Sequence, residues 1–221
     1  MGDEKAGIKK ILTSLARDRF PTQRFADLDS ADQKKWFKAV LQEVDEHGLD
    51  AFSVKRLAES QQLSVGSLYN LFGSKEKLLE WTAVVVSVAM QRHASSGTDD
   101  LLRVPFREAL VELWAPSAEK PTHWNRWQRF ADEVAAHGDA DLKKLVWEPL
   151  LQTERDVIRL LLANGIENGE VAADIDFEET ALLIASLKPD RTGDTADTLS
   201  RKTAEKWVET ILEGIAPTED D

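Results

Sequence analysis

Apolar residues recur along this chain at helical spacing and nowhere convincingly at strand spacing. Ile8, Ile11, Leu12 and Leu15 stand at i, i+3, i+4 and i+7, which predicts an amphipathic helix over residues 4–20. Phe20-Pro21 ends it, because a proline ring disfavours helix at the residue before it. Residues 21–30 read as a linker. Ser30-Ala-Asp-Gln33 has the S-x-x-Q form of a capping box. Trp36, Phe37, Val40, Leu41 and Val44 give the helix that follows a wide apolar face, and Gly48 ends it as a C′ residue.

Two short helical patterns come next, joined by a tight turn. The first reads Val54, Leu57, Ala58, with Ser53 ahead as N-cap; the second reads Leu68, Leu71, Phe72, with Ser64 ahead. Serine suits both starts because its hydroxyl accepts from an otherwise orphan backbone N–H. Paired short helices around such a turn are the pattern of a helix-turn-helix, whose second helix enters the major groove of DNA. Ser74-Lys75-Glu76 opens a longer helix, expected from Lys75 to about His93, with Leu78, Leu79, Thr82, Val85 and Val86 buried. Beyond a polar break at 95–100, helices are expected at about 101–115, 122–137, 140–168, 176–188 and 199–215, with Pro149 kinking the third. Pro189 to Thr198 reads as a polar loop and Pro217 to Asp221 as an acidic tail. The fold class is therefore all-α. The expected domains are an extension over 1–30, a helix-turn-helix domain over 31–80, a second helical domain over 81–216, and the tail.

Composition narrows the function classes. There is no cysteine, hence no disulfide framework and no thiolate metal site. No run of apolar residues is long enough to span a membrane, and no secretory signal is read at the start of the chain, so a cytoplasmic location is expected. The formal charge of −12 argues against DNA until it is divided. Residues 1–94 carry 14 Lys/Arg against 13 Asp/Glu, whereas residues 95–221 carry 14 against 27. The acid thus lies outside the helix-turn-helix. A near-neutral head still implies few phosphate neutralisations and weak non-specific affinity. Catalysis has no support: G-x-S-x-G, G-x-G-x-x-G, phosphate-loop and H-E-x-x-H patterns are all missing, and His47, His93, His123 and His137 are scattered. No catalytic residue, metal site or cofactor is expected.

Residues 36–79 are similar to the DNA-binding domain of the TetR (tetracycline-repressor-like) family of bacterial regulators. The resemblance lies in Gly48, Ser53-Val54, Leu57-Ala58-Glu59, Leu63-Ser64-x-Gly66-Ser67-Leu68-Tyr69, Phe72 and Ser74-Lys75-Glu76-x-Leu78-Leu79. It implies that the helix led by Ser64 is the recognition helix. Ser64, Val65, Gly66, Ser67, Tyr69 and Asn70 would then lie at the DNA, Tyr69 as the family's phosphate-contacting tyrosine, with Ser53, Lys55 and Lys75 at positions that hold backbone phosphates. Asparagine reads adenine through paired hydrogen bonds, and glycine in a first turn lets backbone approach phosphate. Serine caps and solvated lysines also occur in any helical domain. Three residues depart from the family pattern: Gln62 stands at the turn where glycine is usual, Val65 where a basic or small polar residue is frequent, and Asn70 where an aromatic or histidine is common. The basic extension, with Lys9, Lys10, Arg17, Arg19 and Arg24, either reaches toward DNA as a minor-groove arm or packs through its apolar stripe.

The resemblance further implies a one-component regulator, a repressor in most of the family. It would bind a palindromic double-stranded DNA operator as a homodimer and be released by a small-molecule effector. The alternative is a helical ligand-binding or interaction protein of the same fold that does not bind an operator. Ala204, Trp207, Val208 and Ile211, with Leu182 and Ala185, form apolar stripes that suit either a dimer interface or internal core. Phe106, Leu110, Trp114, Trp124, Trp127 and Trp147 are candidates for an aromatic-lined effector site, with plain core packing as the other reading.

Overall fold

The computed structural model describes residues 19–115, 124–187 and 201–216. Among these residues every regular element is a helix. In chain order they are α1 (Gln23–Ala26), α2 (Ser30–His47), α3 (Val54–Ser60), α4 (Val65–Phe72), α5 (Lys75–Ser96), α6 (Thr98–Leu101), α7 (Phe106–Trp114), α8 (Trp124–His137), α9 (Ala140–Glu167), α10 (Phe177–Ser186) and α11 (Arg201–Ile215). Most of the expected helix 4–20, the loop at 189–198 and the acidic tail lie outside the described residues. The helices form two compact units, one of residues 1–91 and 120–150, the other of 92–119 and 151–221. That division runs inside α5 and inside α9, so α8 and the start of α9 share a unit with the helix-turn-helix.

The first unit is built around an aromatic cluster. Phe25, Phe37, Phe72 and Trp81 are buried, and the Phe25 ring lies 4.8 Å from Phe72 and 4.7 Å from Trp81. Residues 21–30 are consequently not a linker. Thr22 caps α1 by accepting from the Phe25 N–H, and burial of that ring stabilises the short helix by ~1.5–3 kcal/mol, more than propensity could over a single turn. The N-cap of α2 is Asp29, whose carboxylate accepts from the N–H groups of Ala31 and Asp32, and not the expected Ser30. Gln33 is buried instead of closing a capping box, and its Nε2 donates to the carbonyls of Phe25 and Leu28 at 3.3 and 3.2 Å. Trp36, Phe37, Val40, Leu41 and Val44 form the buried face as expected. They join one core with Trp127, Phe130, Ala131 and Val134 of α8. In α5 the Val84-Val85-Val86 run is helical, with Leu78, Leu79, Thr82, Val85 and Val86 buried as the periodicity predicts.

The second unit packs α7 against α11, the later part of α9 and α10. Its core combines Phe106, Leu110 and Trp114 with Ile158, Leu161, Leu162, Ala181, Ile184, Ala204, Val208 and Ile211. Glu170 accepts from the Phe106 N–H at 2.8 Å, satisfying a donor that Pro105 at the N-cap leaves open. Helix α5 extends to Ser96, past the expected end at His93, and the break narrows to Gly97 ahead of α6.

Candidate nucleic-acid interface

The geometry of α3, the turn and α4 follows from local backbone accounting. Ser53 Oγ accepts from the Arg56 N–H at 3.3 Å, and Ser64 Oγ from the Ser67 N–H at 3.1 Å, so both serines cap as the spacing predicts. At the other end of α3 the Gln62 N–H donates to the Glu59 carbonyl at 3.0 Å and the Leu63 N–H to Ala58 at 2.9 Å. Those two bonds close a Schellman motif, whose C′ residue is left-handed. Gln62 has φ of 57°, the only non-glycine residue with positive φ among the described residues. The turn is therefore the ordinary left-handed one, held by a residue with a Cβ that clashes in it. Gly73, with φ of 79°, ends α4 through its N–H to the Tyr69 carbonyl at 2.7 Å.

Helix α4 buries Leu68 and Phe72 and half-buries Leu71, anchoring it in the first core. The opposite face is exposed: Val65, Gly66, Tyr69 and Asn70 all reach solvent, Tyr69 at 43%. Ser67 is half-buried, and its hydroxyl pairs with that of Ser64 at 2.9 Å. A Cβ at Gly66 would meet nothing nearer than 3.9 Å, and its φ is not positive, so the fold itself does not require glycine there. Thr22 Oγ1 donates to the Leu71 carbonyl and fixes the last turn of α4 against α1.

The flanking cations divide. Lys55 is exposed, with Glu59 4.0 Å away one turn on, a surface pair of little energetic weight. Lys75 instead turns inward: its Nζ donates to the Phe52 carbonyl at 3.3 Å and lies 5.5 Å from that ring. At the start of α5 the Glu76 carboxyl is held below its ordinary value, first by a backbone N–H of its own residue and then by the Ser74 hydroxyl.

Several positioning groups have no part in the sequence-level reading. Glu43 is buried on α2, accepts from the Ser53 N–H at 3.1 Å, and pairs with Arg56 Nη2 at 2.7 Å. It falls one turn beyond Val40 on the buried face of α2, where a charged residue signals a buried ion pair. Glu133 of α8 accepts from the Leu49 N–H at 2.8 Å, Arg129 pairs with Asp45, and His137 Nδ1 lies 2.9 Å from Asp50. Pairing across so many residues leaves no mark in a single sequence.

The other candidate sets fare differently. Phe106, Leu110 and Trp114 are close-packed in the second core, whereas Trp127 and Trp147 belong to the first; the Trp124 side chain lies outside the described residues. The five described side chains are thus divided three and two between the units, because aromatics at helical spacing follow the packing face of their own helix. A cleft of about 310 Å³ in the first unit is lined by Arg19, Phe20, Pro21, Lys77, Glu80, Trp81, Val84 and Leu145, none of them among the six. Ala204, Val208 and Ile211 are consumed by the core of a single chain, with Trp207 and Ala185 packed against it; Leu182 is 51% exposed. No helix among the described residues is long and apolar enough to cross a membrane, and no group of side chains there could hold a metal ion.

Residues 38–81 match the family model of bacterial regulatory proteins, tetR family. No curated protein sequence matches the chain. Among solved structures, the TetR family transcriptional regulator PfmR from Thermus thermophilus aligns at a TM-score of 0.55 with 19% identity, over 84% of this chain and 98% of that one. GusR of Salmonella enterica aligns at 0.58 with 21% identity over 84% and 95%, and a putative TetR-family regulator from Mesorhizobium loti at 0.58 with 14% identity over 89% and 100%. At these identities the structural matches show a shared all-helical fold. Residues 38–81, built and capped as described, are thus a helix-turn-helix head of the kind that the tetR family of bacterial regulatory proteins carries.

Proposed function

We propose that the chain is a one-component repressor that binds a palindromic operator as a homodimer and is released by a small-molecule effector. The observation that carries the reading is the two-sidedness of α4: Leu68 and Phe72 anchor it, while Val65, Gly66, Tyr69 and Asn70 form an outward face. Tyr69 is the single tyrosine of the chain, and its ring stands in solvent with no role in the core. Glycine at 66, which the fold does not need, suits close approach of a phosphate to the first turn of α4. Val65 meets a thymine methyl and Asn70 an adenine edge. Ser53, Ser64, Ser67 and Lys55 hold the phosphate backbone, and Lys75 supports it from its place against Phe52.

A two-fold operator requires a two-fold protein. The face that supports the dimer is that of Leu182, Leu183 and Leu187, which are 51%, 54% and 45% exposed at and beside α10. Three large leucines exposed on one short segment form an apolar surface of the kind that supports protein–protein contact. Helices α5 and α9 each run from one compact unit into the other, and they carry the effector signal between them.

Selection of bound duplexes from random sequence tests the reading. A palindrome is expected, with its enrichment abolished by Tyr69→Ala or Asn70→Ala in variants that keep the wild-type melting temperature. Failure to enrich any sequence at low salt would favour a helical interaction protein of the same fold.

A further inference from the structure

We propose that α8 is the positioning element of the reading head and that Glu133 is the residue through which it acts. The proposal rests on the reading of α4 as a DNA-recognition helix. It starts from the short connection between α2 and α3, whose path decides where α3 and hence α4 stand. Five successive residues of that connection are each held. The Leu49 N–H donates to Glu133 Oε2 at 2.8 Å, and Asp50 meets His137 at 2.9 Å. The Ala51 carbonyl accepts from Arg56, the Phe52 carbonyl from Lys75 at 3.3 Å, and the Ser53 N–H donates to Glu43 at 3.1 Å. Three of these partners belong to the matched segment 38–81 itself. The other two come from α8, the only described helix outside that segment that supplies them.

Arg129, Glu133 and His137 follow one another at intervals of four, so they occupy one face of α8, and they meet Asp45, Leu49 and Asp50 in the same order. Alongside them, Trp127, Phe130, Ala131 and Val134 key α8 into the core shared with α2. A shift of α8 is thereby delivered to the start of α3.

Electrostatics make Glu133 a poor choice for stability alone. Its carboxylate stands at the C-terminal end of α2, where the helix dipole is negative and a cation would be favoured. The close fit is nonetheless accommodated by the backbone. Gly48 has φ of 79°, and a Cβ there would lie 3.2 Å from Glu133 Oε2. Glycine at 48 therefore serves both the left-handed helix end and the approach of Glu133.

The experiment uses the full chain and a duplex recovered by selection with the unmodified protein. Affinity is read by fluorescence anisotropy at fixed salt, with amide exchange at Leu49 and thermal melting in parallel. Glu133→Ala is expected to speed exchange at Leu49 and weaken DNA binding about tenfold, the factor that corresponds to 1.4 kcal/mol. Glu133→Gln, which keeps an acceptor oxygen, is expected to restore most of the affinity. His137→Ala, which removes only an exposed contact from the same face, is expected to give a smaller loss in the same direction and serves if Glu133→Ala does not fold. The inference is overturned if folded Glu133→Ala exchanges faster at Leu49 yet binds as tightly as the wild type, or if His137→Ala is without effect when it alone folds. An unmodified chain that selects no duplex would instead overturn the reading of the head, and the inference with it.

Discussion

Gln62 stores strain that a single substitution should release. Its φ of 57° places a residue with a Cβ in the left-handed region, at a cost of ~1–2 kcal/mol. Glycine removes that clash but gives up ~0.5–1 kcal/mol through the larger conformational freedom of the unfolded chain. The side chain is exposed, and both bonds that close the turn are backbone bonds, so neither depends on the residue at 62. Gln62→Gly is therefore expected to stabilise the folded state by about 1 kcal/mol, which raises the melting temperature of a protein this size by about 2–4 °C. Thermal unfolding followed by circular dichroism measures it, with Gln62→Ala as the control. Alanine keeps the offending Cβ and should gain nothing. A Gln62→Gly midpoint equal to or below that of the wild type would mean instead that the glutamine side chain contributes an interaction that outweighs the backbone strain.

Three further outcomes follow from the geometry. Phe25→Ala should cost about 3–5 kcal/mol in urea unfolding, as for other buried aromatics truncated in a packed core, because its ring touches both Phe72 and Trp81. Glu43→Ala should cost about 1.5–3 kcal/mol by the same measurement, since it leaves the Ser53 N–H and the Arg56 guanidinium without their shared acceptor. Glu76 should titrate below its ordinary value in a carboxyl NMR titration. Because its folded value is the lower one, its contribution to stability is present above the unfolded value and fades as the pH falls through the folded one. Ser74→Ala should move that titration back toward the ordinary value.

What the sequence made legible was local. Helix starts at Ser53 and Ser64 follow from a side-chain oxygen accepting a nearby N–H, which depends on a few neighbouring residues. The buried faces of α2 and α5 follow from periodicity for the same reason. Residues 21–30 resist a local reading because polar and proline content describes a segment's surroundings poorly when one ring carries its energy. Phe25 turns four residues into a helix through contacts with residues some fifty positions away. The stripe on α11 was equally legible as apolar, but periodicity cannot tell an internal partner from an external one. Ala204, Val208 and Ile211 went to the internal core, and among the described residues of that unit Leu151, Leu160, Leu182, Leu183 and Leu187 are the large apolar side chains left exposed. Glu133 and His137 carried no signal, since their partners are set by tertiary packing alone.

The electrostatics of the head bear on why its placement is so heavily constrained. Helix α4 carries no charged side chain, and residues 1–94 are nearly neutral, so binding gains little from release of counterions. Lys75, one of the few cations at the head, is spent on Phe52, and Arg56 on Glu43. On the proposed function, affinity then has to come from short-range contacts made by Tyr69, Asn70, Val65 and the backbone at Gly66, and such contacts fade within an ångström of misplacement. A strongly basic head would tolerate small errors in angle because long-range attraction changes slowly with distance. This one does not have that latitude. The cations Arg56, paired with Glu43, and Lys75, held on the Phe52 carbonyl, are thus the counterpart of an uncharged reading helix: positive charge that would otherwise attract DNA is used to fix where the helix meets it.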